Sequence, residues 1–123
     1  MRLRYTLSMA AVALAVAAAP TLAHHGWSGN GQEEFEIVGT VERDISLAGP
    51  HATMQIRADD RVWDITLAPG ARTRRAGLTE GVIPLGAQVT IHGHRSGDPD
   101  RYEIKAERVT WNGRTFDVYP NRD

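Results

Sequence analysis

The sequence predicts an all-β domain, a small Greek-key barrel of the OB type with five to six strands and one short helix between strands 3 and 4. Three observations predict it. The chain beyond residue 35 carries repeated runs of alternating apolar and polar side chains, the signature of half-buried strands. The runs are separated by Asp59-Asp60 and Asn112-Gly113, two-residue turns of the kind that close hairpins. The single helical stretch falls between the third and fourth runs, where a five-stranded barrel of this type carries its helix. An open β-sandwich of similar size is the competing architecture.

Residues 1–23 read as a secretory signal. Arg2 and Arg4 give a positive start, residues 7–19 are an uncharged run of mainly Ala, Val and Leu, and Thr21-Leu22-Ala23 after Pro20 offers small residues at a cleavage site. The apolar run is shorter than the roughly 20 residues of a membrane span, which disfavours an uncleaved anchor. The expected destination is export, as a periplasmic or secreted protein, with the membrane met only through the signal during export. Residues 24–35 are polar and Gly-rich, so a flexible lead-in is expected there, followed by the barrel over 36–120.

Residues 36–47 form the first run, with Ile37, Gly39, Val41, Ile45 and Leu47 on one face. Gly49-Pro50 ends it. Residues 52–58 and 61–67 then make the hairpin, Met54 and Ile56 facing Trp63, Ile65 and Leu67 inward. Residues 68–77 are the helical stretch, opened by Pro69 and stopped by Gly77. Residues 88–94 place Val89, Ile91 and Gly93 on one face and His92 and His94 on the other. Residues 102–111 keep one phase through Tyr102, Ile104 and Ala106, then change phase at Val109 and Trp111. That slip predicts a bulge near Glu107-Arg108. Residues 115–119 make the short last strand, ended by Pro120.

Composition narrows the function. Of the 123 residues none is Cys, so there is no disulfide framework and no thiol nucleophile. Losing Arg2 and Arg4 with the signal takes the basic count from 14 to 12 against 15 acidic groups, a net charge of −3 with neutral histidines. Nucleic-acid partners are not expected on that balance; an unidentified periplasmic protein or a small ligand is. Serines are few and sit in no nucleophile turn, and Asp98 and Asp100 lie in a solvated loop, so no enzymatic activity is expected.

The residues that point to chemistry are histidines. Cleavage after Ala23 frees an α-amine on His24, and that amine with the His24 and His25 imidazoles makes a nitrogen-rich chelate suited to copper, which heads the divalent affinity order. On a strand, His92 and His94 share a face and supply half of a metal site, whose third ligand is expected from His51 or from the mobile terminus. The competing readings are a polar chain start for His24-His25, solvated wall residues for His92 and His94, and a turn histidine for His51. No other cofactor is expected. Arg72, Arg74 and Arg75 form a basic helix face that suits an anionic partner, or simply a solvated one. The alternative to a copper module is a metal-free OB-type module that binds a protein or small ligand through that helix and the aromatics Trp27, Trp63, Trp111, Phe116 and Tyr119.

Taken in order, His24-His25-Gly26-Trp27, Gly39-Thr40-Val41, Pro50-His51, Val62-Trp63, Arg75-Ala76-Gly77-Leu78, Gly93, Ala106-Glu107-Arg108 and Asn112-Gly113 through Tyr119-Pro120 resemble a family of small exported bacterial proteins known only as a domain of unknown function. The resemblance covers nearly all of 24–122 and, more distantly, extends in strand pattern to exported bacterial OB-fold proteins. It implies export and a small barrel, and no activity. The chain departs from the pattern at Gly49, where the family often has Asn before Pro-His, which weakens any shared role for the His51 corner.

Overall fold

The computed structural model describes residues 29–122. Six strands and one helix follow in the order β1 (Phe35–Ser46), β2 (Thr53–Ala58), β3 (Arg61–Thr66), α1 (Gly70–Arg75), β4 (Gln88–Arg95), β5 (Glu103–Trp111) and β6 (Arg114–Asp117). The sheet runs β3-β2-β1-β4-β5-β6, and a parallel β3–β5 pairing, Asp64 to Glu103 through Thr66 to Lys105, closes the first five strands into a barrel. This is the small OB-like barrel that the alternation predicts, with β6 appended to β5.

The turns explain the hairpins. Asp59 and Asp60 hold φ of 51° and 60°, and Asn112 and Gly113 hold 51° and 74°; both pairs are left-handed at both central residues, the geometry that matches strand twist. Helix α1 has Pro69 at its N-cap and Arg72, Arg74 and Arg75 in its last turn, where cations favour the helix dipole. It is six residues long, shorter than the stretch read from the sequence. Thr73 anchors it by donating to the Ala68 carbonyl at 2.8 Å.

The core combines Ile37, Val41, Ile45, Met54, Ile56, Trp63, Ile65, Leu67, Val89, Ile91, Ile104, Val109 and Phe116, all buried. Trp111 is only partly buried and packs against it. One barrel end is closed by Phe35, Trp63 and Tyr102, with the last two edge to face at 5.1 Å. The Arg95 and Arg61 guanidiniums lie over those rings.

The β4–β5 pair carries the predicted irregularity. His92 pairs with Arg108 and Gly93 with Ala106, so Glu107 is the extra residue of a bulge in β5. Residues 29–34, expected to be a flexible lead-in, bond to the end of β4. Gly31 N–H donates to the Arg95 carbonyl at 2.8 Å, and Gly97 N–H to the Gly29 carbonyl at 2.7 Å. Asn30 bridges to Ser96 and its side chain donates to the His94 carbonyl at 3.2 Å. Backbone and amide bonds, which need no apolar surface, hold this segment.

A buried histidine and carboxylate on the outside of the barrel

His94 and Glu107 are on the outer wall of the barrel, and both are buried. The bulge is the reason. By inserting one residue it turns the Glu107 side chain onto the wall beside β4. The last stretch of chain then passes over it, and the N–H groups of Val118 and Tyr119 both donate to the Glu107 carbonyl, at 2.9 and 3.2 Å. The lead-in covers the other flank.

The His94 ring is held from both nitrogens. Nδ1 donates to the Gly31 carbonyl at 2.8 Å, and Nε2 lies 2.7 Å from Oε1 of Glu107. A carbonyl only accepts, so Nδ1 carries a proton, and one more proton lies between Nε2 and the carboxylate. The second carboxylate oxygen of Glu107, Oε2, is buried with no hydrogen-bond partner among the described residues. Glu34, exposed on the lead-in, completes a set in which one atom each of Glu34, His94 and Glu107 lies within 4.8 Å of the others.

The His92–His94 pair of the sequence is therefore divided between two environments. His92 is on the same wall, but its ring contacts Glu34 through Nε2 and Glu36 through Nδ1, the latter at 3.5 Å. It joins the three-donor set only through Glu34. His51 belongs to a different place. It lines a cleft of about 240 Å³ with Asn30, Thr66, Glu103, Ile104 and Lys105. Partial burial, then the Lys105 charge, holds its imidazole below the usual histidine range. His24 and His25 lie outside the described residues, as does Trp27.

Glu34 and Glu107 are the donors that sequence reasoning missed. Lone glutamates read as solvated by default. The signals for Glu107 were the phase slip that placed the bulge and its place in the Ala106-Glu107-Arg108 stretch of the family resemblance, neither of which marks a donor; nothing marked Glu34.

Around the other end of Glu107 the wall is cationic. Lys105 is buried, and burial first, then the Arg122 charge, lowers its ammonium below the lysine range. Arg122 Nε is 3.8 Å from Glu107 Oε1. The Tyr119 ring has the Arg72 guanidinium 5.4 Å and the Lys105 ammonium 5.9 Å from its centre. Burial raises the Tyr119 phenol, and the charges of Arg72 and Arg122 oppose that rise. Of the basic helix face, Arg72, Arg74 and Arg75 are all exposed, and Arg72 lies over the Tyr119 ring.

Residues 11–105 match the profile of a family described as a family of unknown function, DUF6152, and the chain belongs to that family. No curated protein sequence matches it. Among solved structures, the ZRD-deleted mutant of TiaS in complex with agmatine is similar at a TM-score of 0.51 and 12% identity, over 69% of this chain and 26% of that one. Apo TiaS, a tRNAIle2 agmatidine synthetase, is similar at 0.49 and 14% over 63% of this chain and 18% of its own. A tRNA fluorescent labeling enzyme gives 0.48 and 14%, over 63% and 17%. The chain spans only a minor part of each, and the likeness is one of fold alone.

Proposed function

We propose that this member of the family is an exported, non-catalytic module that binds a divalent transition metal, with Glu34, His94 and Glu107 as the preformed donors and His24 and His25 of the processed chain as further nitrogen ligands. The observation that supports it is Glu107, a carboxylate buried to 1% side-chain exposure whose Oε2 has no partner among the described residues, beside a histidine and a second carboxylate. A buried acceptor left unsatisfied costs about 1–3 kcal/mol or more when charged, so it marks a position that a cation would relieve.

The chemistry fits. Nδ1 of His94 donates to a backbone carbonyl, which orients the ring and leaves Nε2 as the ligand atom. Metal–nitrogen and metal–oxygen bonds of about 2.0–2.2 Å in a tetrahedral site set donor atoms roughly 3.4 Å apart. The 2.7 Å pair must therefore open by under an ångström, and the proton between its atoms must leave. One imidazole and two carboxylates are a mixed set that zinc also accepts; the two terminal histidines tilt it toward copper.

The test is calorimetric titration of the chain processed to begin at His24, with Cu(II) and with Zn(II). Binding should release protons, weaken about tenfold or more in Glu107→Gln, and change from copper preference to parity in His24→Ala/His25→Ala. Equal copper affinity in all three proteins would end the proposal. A second reading, a metal-free module for a protein or small ligand, is favoured by the 2.7 Å His94–Glu107 bond, which satisfies Nε2 without an ion. It predicts no proton release and no saturable metal uptake.

A further inference from the structure

We propose that the cleft bounded by Asn30, His51, Thr66 and Lys105 binds a small oxyanion, a phosphate or carboxylate group, at a site separate from the His94–Glu107 cluster. Three features carry this. The first is shape: about 240 Å³, below the roughly 300–1,000 Å³ of pockets for drug-sized ligands, is room for a group of a few heavy atoms. The second is the lining. Lys105 brings an ammonium on a nearly buried side chain, and Asn30, Thr66 and His51 bring groups able to donate hydrogen bonds. The third is charge. Lys105 faces His51 in the cleft and acts on it as a positive charge. Arg72 extends the positive region across the Tyr119 ring. One carboxylate, Glu103, also lines the cleft; it is 3.9 Å from the Arg101 guanidinium, and both groups are largely solvated. An anion beside Lys105 and His51 gains charge-assisted hydrogen bonds in a partly desolvated cleft.

The site is distinguishable from the metal cluster by its reporter. His51 is not in the three-donor set, and an anion in the cleft raises the pKa of its imidazole by favouring the protonated form. The experiment follows the ring resonances of His51 by NMR at constant ionic strength, in metal-free buffer, while inorganic phosphate, sulfate or citrate replaces chloride. The expected result is a saturating shift and an upward move of the His51 titration with at least one of the three. Response to phosphate and sulfate names a tetrahedral oxyanion; response to citrate alone names a carboxylate. Lys105→Met, close in shape, should weaken the response about tenfold or more, the worth of one charge-assisted hydrogen bond. Thr66→Val is the second variant and should weaken it less, and thermal melting in chloride checks that both fold. The proposal falls if His51 is unmoved by all three anions through the millimolar range. It also falls if folded Lys105→Met responds as strongly as the parent.

Discussion

On the strands β4 and β5, Val89, Ile91, Ala106 and Val109 belong to the barrel core, while His94, Lys105 and Glu107 of the same two strands are buried on its outside. Both sets are within a few per cent of full burial, yet they stabilise by different physics. The inner set is held by removal of apolar area from water, which is non-directional and tolerates exchange. The outer set is held by matched donors and acceptors, and its roof is made of the residues that flank the barrel, 29–34 on one side and 118–122 on the other. The contrast teaches that this small barrel has a second, polar layer, and that the layer depends on segments a minimal OB barrel does not need.

The largest perturbation strikes both layers at once. Gly93 lies at the bulge with its backbone against β5. A Cβ built on it would sit 2.1 Å from the Lys105 carbonyl oxygen and 2.8 Å from the Ala106 Cα. Both are backbone atoms that cannot swing aside. Gly93→Ala should part β4 from β5 and leave no cooperative thermal transition by circular dichroism, where the parent should give one. A variant that melts within a few degrees of the parent would show that the bulge is looser than its geometry.

Next in size are substitutions that tell the layers apart. Ile91→Ala should cost about 2–5 kcal/mol through lost transfer energy and a cavity. His94→Ala should cost a similar 3–5 kcal/mol for another reason, because it takes the hydrogen-bonded partner from a buried carboxylate and leaves it the Arg122 guanidinium at 3.8 Å. The double variant His94→Leu/Glu107→Met separates the two mechanisms. It removes both polar partners and should recover most of the loss, since apolar replacement of a buried pair is often neutral or better. Urea unfolding of the metal-free proteins measures all three. If the double variant is as unstable as His94→Ala, the outer pair is not held by charge matching.

The same contrast explains what could be read from the sequence. Alternation located every strand, because an inward side chain at every second position is a local signal. The slip between Ala106 and Val109 even located the bulge. The turn at Asn112-Gly113 was equally local, since its φ values of 51° and 74° are a property of two residues. The outer layer was not legible. Its bonds join residues 63 and 13 positions apart, Gly31 to His94 and His94 to Glu107, and no period connects them. The H-x-H spacing placed His92 and His94 on one face, but which of them is roofed depends on where the lead-in docks. That docking uses backbone groups of Gly29 and Gly31, which composition reads as looseness.

The smallest expected effect concerns His51 and the edge of the polar layer. Its ordinary pKa is near 6.5, and in the folded protein burial and the Lys105 charge hold it lower. The folded state therefore binds fewer protons than the unfolded chain just below pH 6.5, and stability falls as pH falls through the interval down to the lowered value. Above pH 6.5 both states hold a neutral ring and the contribution is fully present. His51→Gln keeps a polar side chain and removes the titration, so its urea midpoint should fall less than the parent's between pH 7 and pH 5. The difference should be small, because His51 is only partly buried and water screens the Lys105 charge. It should shrink further in Lys105→Met, where one of the two causes is gone. Saturating phosphate should shrink it in the parent too if the cleft takes an anion, since a bound anion restores the charged ring. Parallel midpoints for parent and His51→Gln across that range would place the acid sensitivity of the outer layer elsewhere on the wall.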